Sequence, residues 1–327
     1  MPYLTTARAI AAELQAVPDR GHVHITEKHL RDRDRIKSLF AVDPNVPDEK
    51  AVLSGWTINR ETVSEEWETT CTSYATETWV LRYYRGFERE HRAEPAFDTV
   101  IDATREQFRP LKSIGDLEIL SAIRTAAIGT ANLGGFLCHY AELELTAGER
   151  FYIPTADAPP DHYDSIATPR ESTADVGEQL AGYIADLTGR VHIGRRLITS
   201  RDDIITDLTV QADGLPIGQR DIRVWQVYRD NDAEDAGIAL RVETDSAWKL
   251  QAAWQWSDAV ESGLKFQDHI DAVRERIRGL QNLGNRVNPT LCESSPLQIH
   301  TIEGRMLGSN LVHYADCGIE ISEVVHA

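Results

Sequence analysis

The stretch FDTVIDATREQFR, from Phe97 to Arg109, returns 169 residues later as FQDHIDAVRERIR, from Phe266 to Arg278, with seven of thirteen positions identical. Its apolar residues recur at helical spacing, which predicts an amphipathic helix. In the first occurrence they are Phe97, Val100, Ile101, Thr104 and Phe108. In the second they are Phe266, Ile270, Val273 and Ile277. Because the helix recurs with its apolar face intact, a whole folding unit is predicted to be duplicated.

Blocks on both sides of this helix repeat in the same order. GHVHI at 21–25 matches GRVHI at 189–193, and LGGFLCHYAELEL from Leu133 matches LGSNLVHYADCGI from Leu307. Between these blocks the recurring pairs are Trp56 with Trp225, Arg60 with Arg229, and Trp79 with Trp248. The sequence therefore predicts a tandem duplication. Its parts are copy 1 at residues 1–147, a proline-rich linker at 148–172, and copy 2 at 173–327.

Both copies have the same predicted order of helices and strands. Along the two copies we expect an N-terminal helix (4–17 and 174–187), a short strand, a charged helix (33–41 and 201–209), two long strands (51–61 and 66–87; 221–230 and 237–256), the repeated helix (96–110 and 265–280) and a closing strand (135–146 and 310–323). An acidic turn, Asn231 to Asp235, is expected in copy 2. The predicted fold class is α+β: two tandem copies of an antiparallel β-sheet domain flanked by α-helices.

The charge balance bears on possible partners. The formal net charge is -18, which disfavours tight capture of nucleic acid because binding to phosphates needs clustered Lys and Arg. No apolar run approaches the roughly 18 residues that span a bilayer, so we expect no membrane partner.

Motifs for catalysis are absent from the sequence. The chain contains no GxxxxGK[ST], GxGxxG, HExxH or GxSxG. The four cysteines, Cys71, Cys138, Cys292 and Cys317, have no metal-ligand spacing. We therefore expect no catalytic residue, no cofactor and no metal, and interpret the protein as a non-enzyme.

Two groups of polar residues have simple structural interpretations. His22 and His24 share one face of a strand, but copy 2 does not keep the pair, which argues against a metal site. Asp102 and Arg105, like their twins in copy 2, have the i,i+3 spacing of an exposed ion pair on a helix.

The residues repeated between copies are interpreted as framework. They are Trp56, Trp79, Phe97, His139 and Tyr140 in copy 1, and Trp225, Trp248, Phe266, His313 and Tyr314 in copy 2. Aromatic residues and arginine at the end of the longest strand are instead interface candidates, since such residues carry much of the binding energy at protein contacts. These candidates are Tyr83, Tyr84, Arg85, Phe87, Trp254 and Trp256.

The pattern of one copy resembles the tail terminator (tail completion) proteins of tailed viruses, including bacteriophages. The resemblance is carried by residues 4–17, 21–25, Gly55 to Arg60, Trp79 to Gly86, Phe97 to Ala103 and Leu137 to Thr146. Copy 2 departs from this pattern, because Arg223 to Gln226 replace the Gly-Trp-x-Ile motif of copy 1.

This resemblance implies a structural virion protein that caps the head-proximal end of the tail tube, stops its growth and joins the tail to the neck. Six copies of one domain form such a ring, so three duplicated chains would give a homotrimer with pseudo-sixfold symmetry. The implied partners are the tail tube protein, the neck or head–tail connector protein, and genomic DNA that passes through the lumen without sequence-specific binding. The implied location is the virion tail, assembled in the host cytoplasm.

Two alternatives stay open. The chain could be another ring component of the neck or tail tube. It could also be a pseudosymmetric ligand-binding or enzymatic protein, with a pocket between the copies around His139 and His313.

Overall fold

A computed structural model describes residues 3–26, 33–47, 51–69, 72–87, 93–152, 190–193, 208–210, 221–235, 241–257, 262–278 and 292–326, with separate positions between 177 and 187. The chain is an α+β fold dominated by antiparallel-rich β-sheet. It divides into two compact units. Unit 1 contains Met1–Glu61 and Thr76–Glu149, and unit 2 contains Thr62–Ala75 and Arg150–Ala327.

Both halves of the chain contain α-helices and several consecutive β-strands. In the N-terminal half they are α1 (Tyr3–Ala16), β1 (His22–His24), α2 (Arg33–Phe40), β2 (Ser54–Thr69), β3 (Thr72–Gly86), α3 (Ala93–Phe108), β4 (Ser113–Ile114), β5 (Leu117–Ile119), β6 (Arg124–Leu133) and β7 (Phe136–Tyr152). In the C-terminal half they are β8 (Arg190–Ile193), β9 (Thr209–Val210), β10 (Asp221–Asp235), β11 (Arg241–Gln255), α4 (Ser262–Arg278), β12 (Cys292–Ser294), β13 (Gln298–Leu307) and β14 (Asn310–His326). No helix in this described part is long and apolar enough to cross a membrane.

The strands of each unit follow one topology. In unit 1 the order is β4-β5-β7-β3-β2, with β6 on β7 and β1 on β2. In unit 2 the order is β13-β14-β11-β10-β8, with β12 on β14 and β9 on β10. The pairs β1–β2 and β8–β10 are parallel, a feature that the antiparallel sheet expected from the sequence did not include.

Strand register agrees between the halves. In the parallel pairs, Val23 lies opposite Trp56 and Val191 lies opposite Trp225. A β-bulge interrupts the β6–β7 pair between residues 125 and 127, and another interrupts β13–β14 between residues 299 and 301. The bulge in the C-terminal half lies 174 residues after the bulge in the N-terminal half. This is the same offset that relates the closing-strand blocks of the two copies. Bulges are specific local features that related folds tend to share.

The long hairpins differ from the sequence prediction. The first strand runs to Thr69 and the second begins at Thr72, so residues 62–65 are strand and not turn. The acidic turn predicted from Asn231 to Asp235 is wrong for the same reason, since β10 continues through these residues.

Other predicted elements have mixed outcomes. Helix α2 is confirmed, whereas residues 201–207 lie outside the described residues, as does most of the predicted linker. The N-terminal helix of copy 2 is helical at residues 177, 180–182 and 184–185. Strands β6 and β13 were not predicted.

Candidate interaction surfaces

Each half contains a stack of three rings where the long hairpin meets the closing strand. In the N-terminal half, His139 stacks on Phe87 with ring centroids 4.0 Å apart and lies 5.4 Å from Phe97 of α3. The backbone amide of Phe87 donates to the Leu137 carbonyl at 3.0 Å. The stack holds the last residue of the hairpin against the repeated helix.

The equivalent stack in the C-terminal half contains Trp256, His313 and Phe266. His313 lies 4.1 Å from Trp256 and 5.6 Å from Phe266, and the Trp256 amide donates to the Leu311 carbonyl at 3.0 Å. The larger indole is accommodated by Gly304, where an added Cβ would approach the Trp256 ring to 2.8 Å. The alternative interpretation, a ligand-binding or enzymatic protein, depends on a pocket around His139 and His313. Both imidazole rings pack against aromatic side chains.

The structure places the six interface candidates at different depths. Tyr83, Tyr84 and Trp254 are buried in the core, where they cannot present a contact surface in the folded chain. Arg85 and Trp256 are half-buried. Phe87 is 46% exposed. Tyr83 stacks on Phe97 of α3 and Trp254 packs against Phe266 of α4. Tyr84 is the next residue of its strand and packs instead against Phe40 of α2.

The four repeated tryptophans, Trp56, Trp79, Trp225 and Trp248, lie in the core. Next to Trp79, the guanidinium of Arg60 pairs with Glu77 at 3.2 Å, with both side chains buried. The equivalent Arg229 instead donates to Ser246 at 3.1 Å. The arginine is therefore kept, but Arg60 is fully buried against an acid, whereas Arg229 is half-buried and donates to a hydroxyl.

Two buried histidines of unit 2 are held neutral. The Trp225 indole donates to Nε2 of His269 at 2.9 Å, which requires that nitrogen to be unprotonated. Burial, followed by the charge of Arg223, lowers the pKa of His269 to about 4. Burial also lowers the pKa of His313 to about 4, and Ser262 Oγ lies 2.8 Å from its Nε2. Neither ring carries a charge near neutral pH.

Two histidines and one cysteine in the described part of copy 1 have a structural interpretation. Nε2 of His22 lies 3.0 Å from the Ala41 carbonyl, and that of His24 lies 3.0 Å from the Leu39 carbonyl. Cys138 is buried, and burial raises its pKa to about 12. Within the described residues there is no group of three or more His, Cys, Asp or Glu that could hold a metal ion.

The repeated acid–base pair behaves differently in the two copies. Asp102 and Arg105 form an exposed pair at 3.9 Å on α3, as predicted. Their twins Asp271 and Arg274 are buried, so the prediction of an exposed pair is wrong for copy 2. The reason is that Arg274 pairs with Glu65 at 2.8 Å.

Glu65 is the centre of an ionic cluster in unit 2 that sequence reasoning missed. Its carboxylate accepts hydrogen bonds from Arg274 Nε at 2.8 Å and from Arg278 Nη2 at 2.8 Å. Ser73 Oγ donates to it at 2.5 Å. Phe151 covers the Arg278 guanidinium at 3.6 Å from the ring centroid. The carboxylate is fully buried, so its charge must be neutralised within the protein.

The electrostatics of this cluster favour an ionised carboxylate. Burial alone would raise the pKa of Glu65, but the Arg278 hydrogen bond and the charges of Arg274 and Arg278 outweigh it and lower the pKa. The backbone adds to the contact, since the Glu65 amide donates to Gln298 Oε1 at 2.9 Å and Val63 pairs with Ile299. The segment 62–75, called the tip hairpin below, thus belongs to unit 2 by charge, backbone pairing and burial.

Comparison with protein-family models and with curated proteins gives no match for this chain.

Proposed function

We propose that this protein is a structural virion component, a tail terminator built as a tandem duplication, which closes into a ring of three chains and caps the head-proximal end of the tail tube. The ring stops tube polymerisation and joins the tail to the neck connector. No catalysis, cofactor or membrane contact is part of this proposal.

The duplication is supported by features that composition alone would not produce. The parallel strand pairs share a register, the bulges share a position, and the ring stacks share their histidine and their helix phenylalanine. A gene that encodes two copies of one ring subunit halves the number of separate chains the ring needs. It also lowers the entropy cost of assembly, because one contact in each pair becomes intramolecular.

The observation that carries the proposal is the tip hairpin of copy 1, which belongs to the unit formed by copy 2. A subunit that extends a hairpin onto its neighbour makes a head-to-tail contact. Repeated around an axis, such a contact closes into a ring.

The charge of the chain suits passage of DNA through the ring. With a net charge of -18, the protein has little tendency to retain a polyanion. An acidic lumen would let genomic DNA slide past without sequence-specific binding.

The first experiment is light scattering of the purified chain at high concentration, with electron microscopy of the same fraction. We expect a mass of three 36.6 kDa chains and an annular particle. Gold-labelled antibodies against the chain, applied to intact tailed particles, should mark the head-proximal end of the tail. Labelling along the tube or in the neck would favour another ring component, and absence of labelling from tailed particles would reject the virion role.

A further inference from the structure

Strands β6 and β13 are equivalent, but their outer edges have different neighbours. Each forms a hairpin with the closing strand of its half, with the same bulge. Within the described residues β13 also pairs with β2 of the tip hairpin, through Val63 and Ile299, whereas β6 pairs with β7. An open strand edge is a template for pairing with another strand.

The side chains on the two strands differ in exposure accordingly. Ile302 of β13 is 5% exposed and belongs to the same hydrophobic cluster as Val63 and Ala75 of the tip hairpin. Ile128, its counterpart on β6, is 62% exposed. An apolar residue occupies both positions, and only the one beside the tip hairpin is covered.

The arginines that bind Glu65 also have exposed counterparts. Arg274 and Arg278 correspond to Arg105 and Arg109 in the repeated helix. The side chains of Arg105 and Arg109 are 49% and 67% exposed, and each pairs with an acid one turn away on α3. Arg124, at the start of β6, is a third arginine on this surface; it is 70% exposed and pairs with Glu144 on the neighbouring strand β7. Unit 1 therefore contains a copy of the surface that receives the tip hairpin in unit 2.

The C-terminal half contains a counterpart of the tip hairpin, formed by the end of β10 and the beginning of β11. The offset of 169 that relates Trp56 to Trp225 and Arg109 to Arg278 holds without a gap, and it places Glu234 at the position of Glu65. Glu234 lies in β10, opposite Thr244 of β11. Residues 230–235 and 241–245, called the acidic strand ends below, carry six acidic side chains and one basic side chain. Their charge is complementary to the arginines of unit 1.

We infer that the acidic strand ends of one chain bind unit 1 of a second copy of the same chain. In this contact Glu234 lies between Arg105 and Arg109 of the second copy, and β10 pairs along the edge of β6 that no described strand occupies. The contact reproduces between chains what the tip hairpin does within unit 2. It rests on the self-association in the proposed function and specifies which surfaces make it.

Charge reversal tests the contact in the full-length chain. E234R and the double variant R105E/R109E should each weaken self-association by about a hundredfold or more, since each leaves like charges facing at the contact. The combined variant E234R/R105E/R109E restores opposite charges and should reassociate. R8E makes the same kind of change at an exposed position on α1 and should leave the association unchanged. Light scattering gives the mass, and thermal unfolding followed by circular dichroism shows that each variant is folded.

Three outcomes would overturn the inference. They are an unchanged mass for E234R or R105E/R109E, a folded triple variant that stays monomeric, and a wild-type chain that is monomeric at every concentration. These outcomes are separable from failure of the proposed function. A ring that persists in E234R rejects this contact alone, whereas a ring that dissociates and is rescued, but does not label tailed particles, rejects only the virion role.

Discussion

The carboxylate of Glu65 and the guanidinium of Arg278 form a buried two-point ion pair between residues 213 positions apart in the chain. The pair ties the tip hairpin, which comes from the N-terminal half of the sequence, into unit 2. Arg274 and Ser73 also donate to this carboxylate, so its charge is compensated by groups of the protein.

Replacing Glu65 with Gln should destabilise unit 2 by about 3 kcal/mol, because it leaves two buried guanidinium groups without their anion. Chemical denaturation of the full chain measures the loss. Glu68→Gln is the matched control, since its Arg150 partner is 64% exposed and the pair lies in solvent. Equal effects for the two variants would show that the buried cluster does not hold the hairpin.

The stability of unit 2 should fall as the pH is lowered from about 6.5 to about 4. The pKa of His269 is about 4 in the folded protein, whereas the ordinary value for histidine, which applies to the unfolded chain, is 6.5. The unfolded chain therefore binds more protons in this interval, which favours unfolding as the pH falls. Each group with such a shift contributes roughly 3 kcal/mol over the interval. His313 adds to the same slope.

His269→Gln should flatten this pH dependence, since an amide oxygen can accept from Trp225 without titrating. The free energy of unfolding, measured from about one pH unit above the ordinary histidine pKa down to the folded-state pKa of His269, should vary less in the variant than in the wild type. An identical slope in both proteins would exclude His269 as the titrating group.

Ile302→Ala should cost about 3 kcal/mol of folding stability, whereas Ile128→Ala should change it by less than about 0.5 kcal/mol. The reason is that the first residue lies in the core cluster and the second is exposed. Thermal unfolding of dilute protein compares them. If Ile128→Ala proved as destabilising as Ile302→Ala, β6 would have to be covered within the single chain.

Gly304→Ala should destabilise the protein by about 1 kcal/mol or more, because the new Cβ would meet the Trp256 ring. Trp256→Phe in the same chain should recover most of the loss, since it restores the smaller ring that Phe87 supplies in the other half. A double-mutant cycle by denaturant unfolding measures the coupling between the two sites. Additive effects would mean that the close approach at Gly304 does not set the choice of tryptophan.

Helix α3 and its repeat, α4, could be predicted because local periodicity carries the signal for both. They follow from apolar spacing, and the buried Phe97 and Phe266 lie on the predicted faces. The sequence indicated one member of each ring stack, because His139 and His313 occupy equivalent positions in the two copies. Strands β6 and β13 were missed, since β6 is mostly exposed and shows little of the apolar alternation that predicts a strand.

The sequence by itself determined the α+β class, the repeated helix and the residues common to both halves, because these depend on local spacing and on self-similarity. Only the tertiary structure decided which carboxylate is buried. In the sequence, Glu65 is one of several acidic residues in a polar segment, and nothing local distinguishes it. Its role depends on Arg274 and Arg278, which contact it only in the folded protein. Charge compensation across more than 200 residues leaves no periodic trace in a single chain, so twin positions such as Arg105 and Arg274 can be alike in sequence and opposite in burial.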